Sequence, residues 1–308
     1  MPDKESLVSV IIPTRNRPQM LAIAVMSVLN QTHRNVEVIV VDDGSDTPLD
    51  LDLSDDRVRI IRSEKSVGGA AARNIGLRAA RGEFLCLLDD DDCYYPHKIA
   101  CQLDYLTRNP DVDMVFSQVR RDDRHGGSSI WPDAGYVFST MANFRVPNKI
   151  HTISTLFRRK VIEGVQFDER FTKYQDWQFN MTISLKFTVD YLPVCVAVWH
   201  VDKRPDRLAL QDESAKFNNY RLICEIFSDV IDSDTALRQR YYRRLGYLAL
   251  KSGDGQCAKE AFRRLGPWRG RLAWTCLLLK TRVWAVRSRY RARHRRVSGS
   301  YQKSGSAV

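Results

Sequence analysis

Glu83-Phe84-Leu85-Cys86-Leu87-Leu88, followed at once by Asp89-Asp90-Asp91-Asp92, is the stretch on which the fold turns. Five consecutive apolar residues are too short for a buried helix and read as a strand covered on both faces, as in a parallel α/β sheet. Four carboxylates then crowd its carboxyl end, the place where an open α/β sheet binds ligands. Their mutual repulsion is costly without a compensating cation, so the string points to a divalent metal and a phosphate. The plainer alternative is an acidic loop in which Asp92 starts the helix announced by Tyr95-Pro96.

The flanking sequence agrees with a sheet. Upstream, Leu7–Ile12 reads as a strand ended by Pro13, and Pro18 opens a helix through about Leu29 with apolar Leu21, Ile23, Val25 and Val28. Val36–Val41 is a second buried strand, closed by the turn residues Asp42-Asp43-Gly44-Ser45. Val58–Ile61 is a third, and Gly68-Gly69 leads a small-residue helix to about Ala80. Strands and helices alternating at this spacing imply right-handed βαβ units and a Rossmann-like, mostly parallel sheet. Downstream, a helix over Pro96–Leu106 and a strand over Val112–Phe116 continue the pattern, and then it lapses. Gly126-Gly127-Ser128-Ser129 reads as a flexible loop, and strands at Thr152–Phe157 and Val189–Val198 flank a helix from Asp176 to Leu185. From Lys216 the pattern is helical, and Gly246–Leu265 resembles a single tetratricopeptide hairpin, which as one copy reads as local packing.

A chain of 308 residues, 44% of them apolar, can bury a large core with room for an appendage. Seven cysteines without a Cys-x-x-Cys pair indicate neither a disulfide framework nor a zinc site, and fit a reducing cytoplasm. Met1–Leu7 is polar and lacks the apolar core of a signal peptide, and no run is long enough to span a bilayer. Ala261–Val308 holds thirteen Lys or Arg and no Asp or Glu; subtracting those thirteen from the net charge of +11 leaves −2 on the first 260 residues. Within that tail Trp268, Leu272, Cys276, Leu279, Val283 and Val286 fall on one helical arc flanked by Arg and Lys, the layout of a helix lying on an anionic membrane surface, whereas Trp274, Leu277, Leu278 and Trp284 face elsewhere and make packing against the catalytic domain the alternative. No nucleic-acid module or aromatic platform accompanies the charge, which argues against nucleic acid as a partner.

Four motifs then stand in order: Val10-Ile11-Ile12-Pro13-Thr14-Arg15-Asn16-Arg17, Val40-Val41-Asp42-Asp43-Gly44-Ser45, Ala72-Arg73-Asn74-Ile75-Gly76, and the Asp-rich strand end. A fifth follows at Phe167-Asp168-Glu169-Arg170-Phe171 with Tyr174-Gln175-Asp176-Trp177. In this order and spacing, over roughly residues 7–200, the chain resembles the family 2 glycosyltransferases, inverting enzymes of the GT-A fold that use nucleotide-diphosphate sugars. The resemblance implies an α/β GT-A catalytic domain over residues 1–212, with a nucleotide-binding half to about 116 and an acceptor-side half beyond. A helical extension over 213–286 and a basic flexible tail over 287–308 would complete the chain.

The resemblance also implies roles. Pro13, Thr14 and Arg15 contact the nucleoside; Asp43, with Asp42 beside it, accepts the uracil imide N–H; Arg73 reaches the diphosphate or the Asp cluster, while Asn74 holds loop backbone. The Asp-x-Asp pattern falls on Asp89-x-Asp91, making Asp91 the preferred ligand of Mg²⁺ or Mn²⁺, with Asp89 or Asp90 on ribose hydroxyls or metal-bound water. Asp176 matches the base that takes the acceptor hydroxyl's proton. Where the family usually has Glu-Asp, this chain has Gln175-Asp176. His200 could complete the metal site, and Arg204 and Arg207 could close over the diphosphate. The implied setting is a cytoplasmic enzyme peripheral to the inner face of the membrane, with a lipid-linked or surface glycan as acceptor. A sugar-nucleotide nucleotidyltransferase and a non-catalytic GT-A-like scaffold are the alternatives. The first would need a Gly-rich phosphate loop after strand one, and Pro13–Arg17 has no glycine.

Overall fold

A computed structural model describes residues 6–49, 55–123, 126–133, 135–140, 144, 149–201 and 213–266. The chain divides into two compact units, residues 1–212 and 213–308.

In the first unit β1 (Val8–Thr14), α1 (Pro18–Leu29), β2 (Val36–Asp42), β3 (Val58–Arg62), α2 (Gly69–Ala79) and β4 (Phe84–Leu87) follow in the alternation read from the sequence. Pro13 lies within β1, opposite Val41, and does not end it. The second half holds β5 (Cys93–Tyr94), α3 (Lys98–Arg108), β6 (Met114–Asp123), β7 (Ser128–Trp131), β8 (Thr155–Arg158), α4 (Lys160–Gly164), α5 (Gln175–Lys186) and β9 (Val189–Val201). The strands form one sheet in the order β3-β2-β1-β4-β8-β6-β9-β5, with β7 paired to β6. β3, β2, β1 and β4 are parallel; β8 enters antiparallel between β4 and β6, and β9 again runs parallel to β6.

Period-two alternation in the strands feeds two cores, one on each face of the sheet. Val8, Val10 and Ile12 of β1 meet Leu21, Val25 and Val28 of α1 and Ile99 and Leu106 of α3 on one face. Ile11 faces the other side with Ala70, Ala72 and Leu77 of α2 and Phe179 and Ile183 of α5. The close approach of α2 to the sheet depends on Gly76, where a Cβ would overlap the Ile11 Cγ2 methyl and stand 3.1 Å from Val41 Cγ2. All the strand-end loops that carry sequence motifs thus gather at the carboxyl edge of the parallel strands.

Gly126 and Gly127 turn a hairpin, not a flexible loop: Gly126 takes φ +79° and Ser128 and Ser129 pair with Asp122 and Arg121 as part of β7. β6 runs seven residues past Phe116 because its outer half gains partners on both sides, β7 and β9.

In the second unit α6 (Glu213–Ile226), α7 (Ser228–Ser233), α8 (Thr235–Ser252) and α9 (Gly255–Arg263) follow in turn. α8 and α9 make the hairpin read at Gly246–Leu265: Gly253 caps α8 at φ +87°, and a Cβ on Gly246 would meet the Phe262 ring at 2.5 Å. The expected membrane-surface helix, the basic tail, Arg204 and Arg207 lie outside the described residues, as does part of the 117–148 region.

Candidate active site

The Asp-rich segment leaves β4 as a chain of assigned contacts. Asp89 accepts a 2.7 Å hydrogen bond from Arg73 Nη2 on α2. Asp90, 5% exposed, accepts from the Thr14 hydroxyl at 2.7 Å and from Arg17 Nη1 at 3.1 Å. Burial is the largest influence on Asp90 and pushes its carboxyl above the ordinary 3.8, against the pull of Thr14 and Arg17. Asp91 lies 3.9 Å from the same Arg17 guanidinium. Asp92 does not cap a helix, since α3 starts only at Lys98; its carboxylate accepts the His200 backbone N–H at 2.8 Å, tying the segment to β9. His200 in turn places Nδ1 2.9 Å from the Asp91 carbonyl, and because a carbonyl only accepts, that nitrogen carries the proton. His200 is thereby held against the backbone of Asp91.

Beneath this segment Lys98 is fully buried. Its ammonium donates to Gln102 Oε1 (2.8 Å), the Thr155 carbonyl (3.0 Å) and Cys86 Sγ (3.2 Å), none of them a carboxylate, and lies 4.5 Å from the centre of the Tyr94 ring. Tyr94 donates to the Leu87 carbonyl at 2.7 Å, one residue pair before the acidic run.

The second motif splits into two jobs. Asp42 is fully buried, and its carboxylate is taken up by Arg62 Nη1 (2.8 Å) and the Ser45 backbone N–H (2.9 Å). It therefore stands behind the turn in a supporting place, a correction to the ligand-facing role the resemblance implies. Asp43 reaches across to the loop that opens α2, accepting from Val67 N–H (2.6 Å), Ser66 Oγ–H (2.8 Å) and Gly68 N–H (3.1 Å). Gly44, at φ +66°, lets the two loops meet; a Cβ there would stand 2.5 Å from the Ser66 nitrogen. Pro13 is half-buried and Arg15 exposed, while Thr14 is committed to Asp90.

Two neighbouring residues of α2 grip the segment that leads to α5. Asn74 donates to the Phe167 carbonyl (2.9 Å) and Glu169 Oε1 (3.0 Å) and accepts the Phe167 N–H (2.9 Å), the backbone-holding role expected of it. Arg73 joins Asp89 on one side to Gln175 Oε1 on the other, at 2.9 Å from Nη1, with its guanidinium over the Phe167 ring. Its Nε is buried without a hydrogen-bond partner. Asp176 is half-buried in the first turn of α5, one residue beyond the Gln175 that Arg73 contacts, so that guanidinium links Asp89 to the start of α5.

For a divalent cation the site offers oxygen donors, the correct class for Mg²⁺ or Mn²⁺. Among the described residues no three His, Cys, Asp or Glu side chains converge as a self-sufficient metal cage. The carboxylates of Asp89, Asp90 and Asp91 are of the donor class that would fit an ion held by one or two of them and completed by substrate phosphates. Arg17 had no role in the sequence reading. An arginine three residues past the end of β1, in a chain with four clustered aspartates elsewhere, is the signal that could have found it.

Farther along the sheet, a cavity of about 600 Å³ opens between β6, β9 and the 135–138 loop, lined by Gln118, Tyr136, Phe138, Tyr191 and Pro193 among others.

A mixed sheet, parallel from β3 to β4 and antiparallel where β8 enters, with helices on both faces and an Asp run at the end of β4, has the architecture of a GT-A domain. Residues 9–165 match the model of glycosyl transferase family 2. An uncharacterised glycosyltransferase of Methanocaldococcus jannaschii is 26% identical over 70% of this chain and 78% of its own. The Escherichia coli UDP-Glc:alpha-D-GlcNAc-diphosphoundecaprenol beta-1,3-glucosyltransferase WfgD is 36% identical over 33% of this chain and 42% of its own, and a Haemophilus influenzae glycosyltransferase matches over 38% of its length. The matches therefore span less than half of the latter two relatives. Residues 1–349 of S. aureus TarS, solved in complex with UDP-GlcNAc, share the fold at TM-score 0.57 and 14% identity over 86% of this chain and 83% of that one. The chain belongs to glycosyl transferase family 2.

Proposed function

We propose that this chain is an inverting, metal-dependent glycosyltransferase that moves a sugar from a nucleotide-diphosphate donor, UDP-linked, to a hydroxyl of a lipid-linked or surface glycan. The observation that carries the reading is the Asp89–Arg73–Gln175 bridge, which places the acidic strand end and the Asp176-bearing helix around one guanidinium. The donor specified in the name of WfgD and the UDP-GlcNAc complex of TarS support a UDP-sugar.

In this reading the acceptor hydroxyl attacks the anomeric carbon on the face opposite the diphosphate, and Asp176 takes its proton as the new C–O bond forms. The old bond to the phosphate oxygen breaks with its electron pair, and Arg73 lies where a cation can meet the charge that develops on the leaving group. A Mg²⁺ or Mn²⁺ ion, when bound by Asp91 with Asp89 or His200 nearby, would supply further neutralisation of that charge. Asp43 and the 66–68 loop hold the nucleoside side, and Thr14 and Arg17 keep Asp90 in place beneath it. A hydroxyl on a membrane-linked glycan suits the basic 267–308 segment, which would lie against anionic lipid. No helix of the described residues is long and apolar enough to cross a membrane.

The test is UDP release from UDP-glucose and UDP-GlcNAc with Mn²⁺, beside GDP- and dTDP-sugars. Asp176→Asn should lower the rate by about 10²–10⁴-fold while the donor still raises the melting temperature. Asp91→Ala should abolish the Mn²⁺ dependence of that rise. An Asn variant with the wild-type rate would overturn the assignment of the base, and pyrophosphate formed from UTP and a sugar 1-phosphate would replace the reading with a nucleotidyltransferase.

A further inference from the structure

Gln175 stands where relatives usually have an acid, and its contacts give a reason for an amide. Oε1 accepts from Arg73 Nη1 at 2.9 Å, and Nε2 donates to the Phe171 carbonyl at 3.0 Å. A carboxylate could serve the first contact but not the second, because it has no hydrogen to give and would face a carbonyl oxygen at contact distance. An amide satisfies both, with its orientation fixed by the two partners.

The Phe171 carbonyl belongs to the turn that delivers α5. That turn ends at Tyr174, a non-glycine residue at φ +60°, in the left-handed region that a bulky side chain adopts only when its surroundings hold it there. Tyr174 makes no side-chain hydrogen bond that caps α5. Gln175 thus closes the turn from inside the helix while reaching outward to α2. The reach leaves little slack: a Cβ on Gly69 would stand 3.1 Å from both Arg73 Nη1 and Gln175 Oε1. On the α2 side, Arg73 is itself anchored by Asp89 and by the Gly69 carbonyl at 3.2 Å.

We infer that Gln175 is a positioning residue, a neutral link that fixes the first turn of α5, and with it Asp176, to the donor-side helix α2. The inference rests on the proposed transferase reading only for its catalytic consequence; the mechanical link stands apart from it. The charged groups around the link are Arg73 on α2, Asp89 after β4 and Asp176 on α5 itself; Arg73 contacts the Asp89 carboxylate, and Gln175 adds no second one to it.

Three variants separate the link from general packing. Gln175→Leu keeps bulk and loses both contacts; Gln175→Glu keeps the Arg73 contact and loses the Phe171 one; Gln175→Asn is too short to span both. Hydrogen exchange of the 171–177 amides should quicken by about fivefold or more in the Leu and Asn variants, with Glu intermediate, while the β1–β4 amides stay unchanged. In UDP release, kcat should fall about tenfold in Gln175→Leu with donor KM within twofold, since misplacing a reacting group costs rate more than binding. In Gln175→Glu the acidic limb of the kcat/KM profile should move to higher pH, because a second carboxylate beside Asp176 opposes its ionisation. Wild-type exchange at 171–177 in both the Leu and Asn variants overturns the link. Altered exchange with unaltered kcat and pH profile overturns its catalytic consequence. Absence of UDP release in the wild type defeats the transferase reading alone and leaves the exchange arm decisive.

Discussion

Removing the Asp43 carboxylate tests whether the nucleotide side of the site is built by one buried acid. Asp43 is 7% exposed and is the shared acceptor for the Val67 and Gly68 amides and the Ser66 hydroxyl. Hydrogen bonds to a charged group contribute about 1.5–3 kcal/mol each when buried. Here the donors sit on an exposed loop and regain water once the carboxylate is gone, so most of that value is recovered. We expect Asp43→Ala to lose about 2 kcal/mol, a sizeable part of the roughly 5–15 kcal/mol that holds a domain folded. Asp43→Asn keeps the acceptor facing Val67 but turns an N–H₂ toward Gly68, and should lose about half as much. The functional loss should exceed the global one. The loop frames the first turn of α2, from which Arg73 reaches Asp89, so UDP affinity should weaken about tenfold, equivalent to about 1.4 kcal/mol. Urea unfolding, hydrogen exchange of the 66–72 amides and calorimetric UDP titration measure the three effects. If Asp43→Ala matches the wild type in both stability and exchange at 66–72, the carboxylate does not organise the loop and the reasoning fails.

Two other perturbations bear on different links of the structure. Gly76→Ala gains about 1 kcal/mol of helix propensity but forces a methyl into Ile11, an overpacking cost of about 1–3 kcal/mol; the melting temperature should drop by a few degrees, and a rise would show that α2 has room to shift. Asp90 keeps its proton in the folded chain to higher pH than in the unfolded one, because burial raises its carboxyl above 3.8. Its contribution to stability therefore declines as pH climbs from about 4 through the raised value. Urea midpoints at successive pH values should show Asp90→Asn gaining on the wild type over that interval, and a gain in the opposite direction would contradict a buried, reluctant carboxylate.

The parts of this architecture legible in the sequence are those decided by short-range rules. β1, β2, β4, α1 and α2 were all marked by apolar runs with Pro, Gly or Asp at their ends, and each formed within two residues of the expected bounds. The insertion of β8 between β4 and β6 was not legible, because Thr155–Arg158 is four residues long and its neighbours are fixed by a pairing across seventy residues of chain. Nor was the length of β6: Arg120–Asp123 is charged, and only the partners on both sides make it a strand. In the site, the residue types were readable and their division of labour was not. Asp42 and Asp43 are adjacent in sequence, yet strand alternation sends one into the core toward Arg62 and the other toward the α2 loop. Gln175 was visible as a departure from the usual acid, but the Phe171 carbonyl that suits an amide appears only in three dimensions.

The ammonium of Lys98 gives the acidic strand end one property that its surface partners cannot. Arg17 and Arg73 meet Asp89, Asp90 and Asp91 in partly buried contacts, so added salt weakens their attraction only in part. Lys98 is sealed beneath, one aromatic ring away from the loop, where no counter-ion penetrates. As salt is added, the outer clasps should loosen first, while the hydrogen bonds of Lys98 to Gln102, the Thr155 carbonyl and Cys86 keep α3 tied to β4 and β8, so the floor under the loop would hold its shape in brine.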